Sequence, residues 1–349
     1  MALYQHQGIL EAVNKQVKNK YNVDGRLTAF IKKARQDKVD LALAPEYCCP
    51  LTIINDIIRD GDLRPLDGAL WVLGGESITL PELKKLQIDY NDVATHIHFE
   101  ENIKFDMGDF VDPLFYFFRG THNGHSKLIV LVQFKTAHMG ARDDPFERDH
   151  LVQGKTIYVL RNSPESVHFI SLVCSEAMEF QTVLSTAVMS QLRWKTDTYL
   201  IYNPQMNPNP SHEHFRRFRE FIFQAPRKEI ITLNWHGDSK IQTKPLFPNK
   251  SARSSILIKS PDSEGITKRI KGNHKRGVYY FYGKKDHHIF VFNSLAHYYS
   301  LKITPADITE GVASRHLRDG PNNIQTYFLM NKMNWLKQMT KSATTTCRF

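Results

Sequence analysis

The sequence predicts an α/β protein in which strands and helices alternate and a cluster of strands follows late in the chain. Apolar runs of strand length, such as 41–44, alternate with segments whose apolar residues recur at helical spacing, such as 25–36. Several runs are apolar without interruption, as in strands that are buried on both faces. With 349 residues, the chain is long enough for one large domain or two smaller ones with a sizeable core.

Periodicity and turn residues assign the elements in chain order. Helix 25–36 places four apolar side chains on one face, those of Leu27, Phe30, Ile31 and Ala34. Further helices are predicted at 51–60, 81–87 and 178–191, and strands at 41–44, 70–74, 155–160, 167–173, 198–202 and 229–234. Segment 114–134 is typical of a hairpin with its turn at 120–125.

Turn residues also delimit the later elements. The loop 203–210 is rich in Asn and Pro, and Ser211 is predicted to cap the helix that follows. Segment 240–264 is rich in Pro, Ser and Lys and is expected to be irregular. Strands are then predicted at 276–282, 289–292 and 298–303. A last helix is predicted near 323–338, where Ile324, Phe328 and Trp335 would pack on the protein or on a second subunit.

Three strand-length apolar runs end close to one ionisable residue each. The first ends at Glu46, the second at Lys135, and the third contains Cys174. Reactive groups in open α/β sheets gather just past the carboxyl ends of such strands. A carboxylate, an ammonium group and a thiol are therefore candidates for one pocket.

These residue types suit nucleophilic catalysis by the thiol. A thiol has a pKa of about 8.5 and attacks only as the thiolate. Glu46 can take its proton, whereas Lys135 favours the thiolate and can stabilise charge on the substrate heteroatom. The residues taken singly leave other interpretations open. Cys174 can be a buried core cysteine, Glu46 a carboxylate at a helix start, and Glu147 a solvated loop charge.

The order of the motifs resembles the carbon–nitrogen hydrolase (nitrilase) superfamily over roughly residues 5–240. Pro45-Glu46, Lys135 and Cys174-Ser175-Glu176 match its catalytic motifs, and Glu147, seven residues before Gly154, matches a second glutamate. The resemblance implies a four-layer αββα sandwich and a Glu-Lys-Cys triad. This chain departs from the pattern in two ways, because two residues separate Lys135 from His138 and Ser175 follows the cysteine where an aromatic residue is usual.

The resemblance also implies an activity. It is the cysteine-dependent hydrolysis of a non-peptide C–N bond, in a small amide or nitrile, through a thioester or thioimidate on Cys174. The backbone N–H of Ser175 would add a second oxyanion donor, and Glu147 would orient Lys135 or the hydrolytic water. Neither a cofactor nor a metal is implied, and homo-oligomers are expected. Transfer of the acyl group to an amine would use the same intermediate.

Positive charge is concentrated in the last third of the chain. The net charge is +10, yet residues 236–349 hold 19 Lys and Arg against 7 Asp and Glu, whereas residues 1–235 hold 27 against 29. The densest segment, 268–276, contains Lys268, Arg269, Lys271, Lys275 and Arg276, and four aromatic residues follow it. Basic residues beside aromatics are typical of nucleic-acid binding, whereas a solvated basic loop on a strand hairpin is the simpler interpretation.

A second functional hypothesis follows from this charge. The chain can be a nitrilase-like binding or assembly module with little turnover, whose basic third binds nucleic acid or a protein partner. It resembles in this respect the nitrilase-type domains linked to bacterial antiviral defence. We expect a core at 1–240 and a basic C-terminal part at 241–349 that completes the sandwich and adds a strand-containing extension.

Composition also predicts the compartment. The first residues lack the hydrophobic region of a signal peptide, no window approaches 18 uninterrupted apolar residues, and membrane binding is not expected. Four cysteines are too few for a disulfide framework in a chain of this length. A cytoplasmic location is therefore expected.

Overall fold

Three mixed β-sheets and seven α-helices make up the described part of the chain, which confirms the predicted α/β class. The computed structural model describes residues 1–349 except 102, 104–108, 140–145, 162–166, 226, 250–251, 260–277, 285–286, 304–320, 331–333 and 338–349.

The largest sheet has nine strands. One of them contains Glu46, and Lys135 directly follows another. The spatial order of this sheet is β20 (Asn334–Lys337), β19 (Asn322–Met330), β18 (Tyr298–Lys302), β1 (Ala2–Tyr4), β4 (Leu41–Cys49), β5 (Leu70–Gly75), β7 (Pro113–His122), β8 (His125–Phe134) and β6 (Thr95–Phe99). Strands β1, β4 and β5 are parallel, and β7 and β8 form the predicted hairpin.

The second sheet has seven strands, and the third has four. The order of the second is β16 (Val278–Lys284), β17 (His287–Phe292), β15 (Ser255–Lys259), β12 (Lys228–Leu233), β11 (Tyr199–Pro204), β10 (His168–Ser171) and β9 (Val159–Arg161). The third contains β14 (Lys244–Pro245), β13 (Lys240–Ile241), β2 (Ile9–Val13) and β3 (Gln16–Asn19). Strands from residue 240 onward thus contribute to all three sheets.

The helices are α1 (Asp24–Gln36), α2 (Leu51–Arg59), α3 (Leu80–Tyr90), α4 (Phe146–His150), α5 (Phe180–Val183), α6 (Thr186–Gln191) and α7 (Glu213–Gln224). Helix α1 buries the four side chains that its spacing predicts. Helix α3 begins with a capping box between Thr79 and Glu82, which satisfies two backbone donors at its start. Among the described residues, no helix combines the length and the apolar character needed to cross a bilayer.

Two hydrophobic clusters follow from the period-2 alternation of the strands. On β4, Ala42 and Ala44 belong to a cluster with the buried faces of α1 and α2, whereas Leu43 points to the other face of the sheet. Leu43 packs in a second cluster with residues of the seven-stranded sheet, such as Ile201 and Ile230, and with helix α7.

The predicted helix near 323–338 is wrong, because the described residues there form strands β19 and β20. Strand β19 pairs with β18 on one side and with β20 on the other, both antiparallel. Apolar residues four positions apart, such as Ile324 and Phe328, suit one face of a helix. They also suit one face of a strand, where side chains alternate between the two faces. Ile324 and Thr326 are buried while Asn323 is exposed.

Other boundaries also differ from the prediction. The helix at 178–191 divides into α5 and α6, because Ser185 accepts a hydrogen bond from the N–H of Val188 and starts a new helix. His212, rather than Ser211, is the N-cap of α7. The strand predicted at 155–160 is observed at 159–161, so the two overlap at only two residues. Short strands interrupt the segment at 240–264, which is predicted to be irregular.

Candidate active site

Glu46 lies in an irregular part of β4 that neighbouring elements hold closely. The pairing with β5 shifts register between Ala44 and Cys49, and Tyr47 has a φ of 55°. Gly74 of β5 lies so near that a Cβ atom there would be 2.1 Å from the carbonyl oxygen of Pro45. The indole N–H of Trp235 donates to the carbonyl oxygen of Glu46 at 2.7 Å. The backbone of Glu46 is therefore fixed from two sides.

Lys135 follows β8 directly, and its ammonium group lies among carboxylates. Its Nζ lies 2.7 Å from Oε1 of Glu46 and 2.8 and 2.9 Å from the two oxygens of Glu147. The backbone N–H of Lys135 donates to the backbone carbonyl oxygen of Asp112 at 3.0 Å, and the carbonyl oxygen of Lys135 accepts from the N–H of Gly154 at 2.9 Å. Burial lowers the pKa of the lysine, but Glu147 and Glu46 outweigh burial and raise it well above its ordinary value.

Glu147, from the short helix α4, is held as an ionised carboxylate. Its oxygens accept hydrogen bonds from the hydroxyl of Tyr47 at 2.8 Å and from the N–H of Met139 at 2.7 Å, besides those from Lys135. Burial alone would raise its pKa, but the charge and hydrogen bonds of Lys135 lower it. Glu147 is thus suited to fix the position of the ammonium group.

Cys174 is the first residue of a short 3₁₀ helix, Cys174–Ala177, which follows β10 closely. Its φ of 40° is uncommon for a residue with a side chain, and such strain clusters at functional sites. The thiol is 1% exposed, and burial and the charge of Glu46 raise its pKa well above the ordinary value, although Lys135 opposes them. Lys135 thus acts in favour of the thiolate, but burial and Glu46 outweigh it.

Glu176 joins the cysteine turn to the lysine strand. Its two oxygens accept from the N–H of Thr136 and of Val173, each at 2.6 Å, and these residues adjoin Lys135 and Cys174. Because it is fully buried, its pKa rises to about 7. Glu176 therefore links two of the candidate catalytic residues through their neighbours.

Ser175 directly follows Cys174 in the 3₁₀ helix. Its hydroxyl donates to the carbonyl oxygen of Ala137. Its backbone N–H has no acceptor among the described residues, so it is free to bind a substrate oxygen or nitrogen. Ser175 is fully buried, so other residues cover its small side chain.

Sequence reasoning missed two members of the site, Asp112 and Tyr47. Asp112 is 1% exposed, and its Oδ2 lies 3.6 Å from Nζ of Lys135. The sequence does contain a signal for Asp112. In the predicted hairpin, Pro113 lies opposite Phe134, so the next residues outward, Asp112 and Lys135, also lie opposite each other. Tyr47 directly follows Glu46, but nothing in the sequence shows that its hydroxyl reaches Glu147.

Three carboxyl groups, those of Glu46, Asp112 and Glu147, have oxygens within 4.8 Å of one another. Such a group can hold a metal ion, but here Nζ of Lys135 lies within 3.6 Å of all three. The ammonium group is thus the cation that this arrangement accommodates.

The structure does not describe every predicted site residue. The candidate nucleic-acid contacts Lys268, Arg269, Lys271, Lys275 and Arg276 lie outside the described residues. Cys48 and Cys49 are buried in the cluster on the helix side of the nine-stranded sheet.

Comparison with known proteins does not assign the chain to a family. No protein-family model matches the chain, and no curated protein matches it. What can be concluded about the class of protein therefore rests on the residues and their arrangement.

Proposed function

We propose that this chain is a cysteine-dependent hydrolase of a non-peptide C–N bond, acting on a small amide or nitrile. The observation that carries the proposal is the meeting of Glu46, Lys135 and Glu147 in one buried group beside Cys174. These residues come from four separate segments, and a core would not collect a lysine and two carboxylates without a use for them. The same residues carry the resemblance to the nitrilase superfamily.

The packing is compatible with the four-layer αββα sandwich of that superfamily. One hydrophobic cluster joins helices α1 and α2 to the nine-stranded sheet, and the other joins the nine-stranded sheet to the seven-stranded sheet and α7. Helix, sheet, sheet and helix would then follow one another. We include this fold in the proposal.

In the first step, the thiol of Cys174 would pass its proton to Glu46 as its sulfur bonds to the substrate. Sulfur attacks the carbon of the amide or nitrile, and Lys135 and the N–H of Ser175 stabilise the charge that develops on its oxygen or nitrogen. For an amide, Glu46 returns the proton to the leaving amine and a thioester remains. For a nitrile, the proton passes to the nitrogen and a thioimidate forms, to which one water adds as ammonia leaves, so that the thioester results. Water then attacks the thioester, with Glu46 again as base, and releases the acid and the thiol.

The raised pKa of Cys174 determines how the first step proceeds. A buried thiol with a carboxylate beside it has no stable thiolate at neutral pH. Proton transfer to Glu46 must therefore accompany attack on the substrate. The site would protect its thiol from oxidants, because the reactive form exists only with substrate in place.

Intact mass spectrometry tests the proposal. The protein is incubated with a panel of small amides and nitriles and quenched in acid. An amide should leave its acyl group on Cys174, with the mass of the amine lost, whereas a nitrile should add its whole mass. Cys174→Ala should carry no adduct and Cys48→Ala should keep it. Turnover without any requirement for Cys174 would refute the proposal.

Burial of the site favours a second candidate, a binding or assembly module with little turnover. Glu46, Lys135 and Cys174 are each 1% exposed, which leaves the nucleophile shielded from solvent. In such a module the charged group would serve only to hold β4, β8 and α4 together. The mass experiment separates the candidates, because a module forms no adduct with any member of the panel.

A further inference from the structure

Asp112 creates a charge imbalance in the site. Glu46, Asp112 and Glu147 share a single ammonium group, that of Lys135. Its Nζ lies 2.7 Å from Glu46 and 2.8 Å from Glu147, but 3.6 Å from Asp112. With all three carboxyl groups ionised, this buried set would have a net charge of −2. An unpaired buried charge is costly, so such a group takes up a proton instead.

The hydrogen bonds identify which carboxyl group carries the proton. Glu147 accepts from Tyr47, Met139 and Lys135, and Glu46 accepts from Lys135 and from the N–H of Met206 at 2.7 Å. Oδ2 of Asp112 is buried and accepts no hydrogen bond from any described residue. An ionised carboxylate needs donors, whereas a carboxylic acid needs an acceptor. Glu46 is the available acceptor, because it has a carboxylate oxygen within 4.8 Å of one of Asp112 and a side-chain hydrogen bond joins the two groups.

We propose that Asp112 is a positioning residue that retains its proton at neutral pH and donates it in a hydrogen bond to Glu46. The location of the proton stands on the charge count and the missing donors. Its consequence for turnover rests on the proposed hydrolase. Burial and the negative charge of Glu46 also raise the pKa of Asp112 well above its ordinary value, although Lys135 opposes them.

The neutral acid would serve the reaction by limiting negative charge around the sulfur. The charged or titratable groups that face Asp112 are Glu46 and Tyr47 of β4, Lys135 after β8 and Glu147 of α4. Three of them, Glu46, Lys135 and Glu147, also act on the thiol of Cys174. With Asp112 neutral, two carboxylates face one ammonium group, and the net charge of the set falls from −2 to −1. If Asp112 ionised, a further carboxylate would oppose the negative charge that forms on the sulfur during attack. Turnover should therefore fall as pH rises through the pKa of Asp112.

Infrared spectroscopy of the native chain tests where the proton resides, without any need for turnover. The protein is labelled with ¹³C in the carboxyl groups of aspartate only, so that Glu176 does not interfere. We expect a protonated-carboxyl band at neutral pH that shifts with the label and disappears in Asp112→Asn. A native protein whose labelled aspartates show no such band would overturn the proposal.

Two isosteric variants give an independent test through thermal unfolding. Asn mimics a protonated Asp and keeps a donor for Glu46, so Asp112→Asn should leave the Tm unchanged or raise it at neutral pH. Glu147→Gln is the matched control, because it neutralises the ionised partner of Lys135 and should lower the Tm. An Asp112→Asn variant that loses as much Tm as Glu147→Gln would show that Asp112 is ionised.

The pH profile tests the role in turnover. Asp112→Asn keeps a donor for Glu46, so it should retain more kcat/KM at neutral pH than Asp112→Leu, and it should lose the alkaline decline because an amide cannot ionise. Asp112→Leu removes the donor and should lower kcat/KM by about tenfold, as expected for one lost hydrogen bond. An unchanged alkaline decline in Asp112→Asn would overturn this role. If no substrate is found, the infrared band still decides the location of the proton.

Discussion

Glu46 and Lys135 lie 89 positions apart in the chain, yet Nζ of Lys135 is 2.7 Å from Oε1 of Glu46. Their strands are not neighbours, because β5 and β7 lie between β4 and β8 in the sheet. Glu46 lies where β4 leaves its regular pairing, and Lys135 lies just past β8. The contact exists because both residues lie toward the carboxyl ends of their strands, where Gly74 of β5 approaches the backbone of Glu46.

Replacing Lys135 by Met should be severely destabilising and should abolish turnover. The substitution leaves Glu46 and Glu147 buried without a cation, which should cost about 3–5 kcal/mol in the free energy of unfolding. Loss of an oxyanion donor should lower kcat by about 10²–10³. Urea unfolding measures the first effect. Lys85→Met is the control, since Lys85 pairs with Asp89 at the surface and should change stability by less than about 1 kcal/mol. Equal stabilities of the two variants would contradict the buried ion pair.

Cys174 should react with iodoacetamide before Cys48 and Cys49 in the folded protein. Burial raises the pKa of all three thiols, but only Cys174 has a lysine beside it that opposes the rise. Labelling should be slow at neutral pH and faster as pH rises, because only the thiolate reacts. Peptide mapping over a time course measures the order. Labelling of Cys48 or Cys49 first would contradict the proposed environment of Cys174.

Replacing Glu176 by Gln should change how stability depends on pH. The native pKa of about 7 exceeds the ordinary value of 4.5, so the folded protein holds a proton that the unfolded chain releases. Stability from this group is fully present below pH 4.5 and is lost as pH rises to about 7. The loss amounts to about 3 kcal/mol. Glu176→Gln should remove this decline, measured as unfolding free energy across that interval.

Glu82→Gln serves as the control for that experiment. Burial raises the pKa of Glu82, but its hydrogen bonds from Thr79 outweigh burial and lower it. Stability from Glu82 is therefore present above its ordinary pKa and is lost as pH falls. The two variants should shift the pH dependence in opposite directions, and a shift of the same sign in both would contradict the assignment for Glu176.

Gly74→Ala should destabilise the protein and displace Glu46. An added Cβ would lie 2.1 Å from the carbonyl oxygen of Pro45 and 2.7 Å from Cα of Glu46, and backbone atoms cannot give way cheaply. Such overpacking typically costs about 1–3 kcal/mol. Gly61→Ala is the matched control, because a Cβ there meets nothing within 4 Å. Thermal unfolding of both variants tests this, and equal Tm values would rule out the close approach of β5 to Glu46.

The basic segment makes a prediction that the described residues do not test. If the segment 268–276 binds nucleic acid, affinity should fall with salt at a log–log slope of about −0.7 to −0.9 for each phosphate neutralised. Changing Lys268, Arg269, Lys271, Lys275 and Arg276 to Ala should flatten that slope and leave the hydrolysis of a small substrate intact. Absence of DNA or RNA binding at low salt would favour a solvated loop.

Much of the secondary structure could be predicted because it depends on local periodicity. Helix α1 buries the residues that its spacing selects, and the β7–β8 hairpin turns where Gly and Asn permit a turn. The segment at 323–338 could not be assigned in this way. Ile324 and Phe328 are four positions apart, which suits a helix face as well as one face of a strand, and only the pairing of β19 with β18 and β20 decided between them.

The sequence by itself placed Glu46 and Lys135 toward the carboxyl ends of apolar strands, since a buried run of strand length precedes each of them. It also carried the register that pairs Asp112 with Lys135. Only the tertiary structure decided the charge state of the site. Whether Cys174 rests as a thiol and which carboxyl group keeps a proton depend on burial and on distances of a few ångström between segments far apart in the chain, which no local pattern encodes.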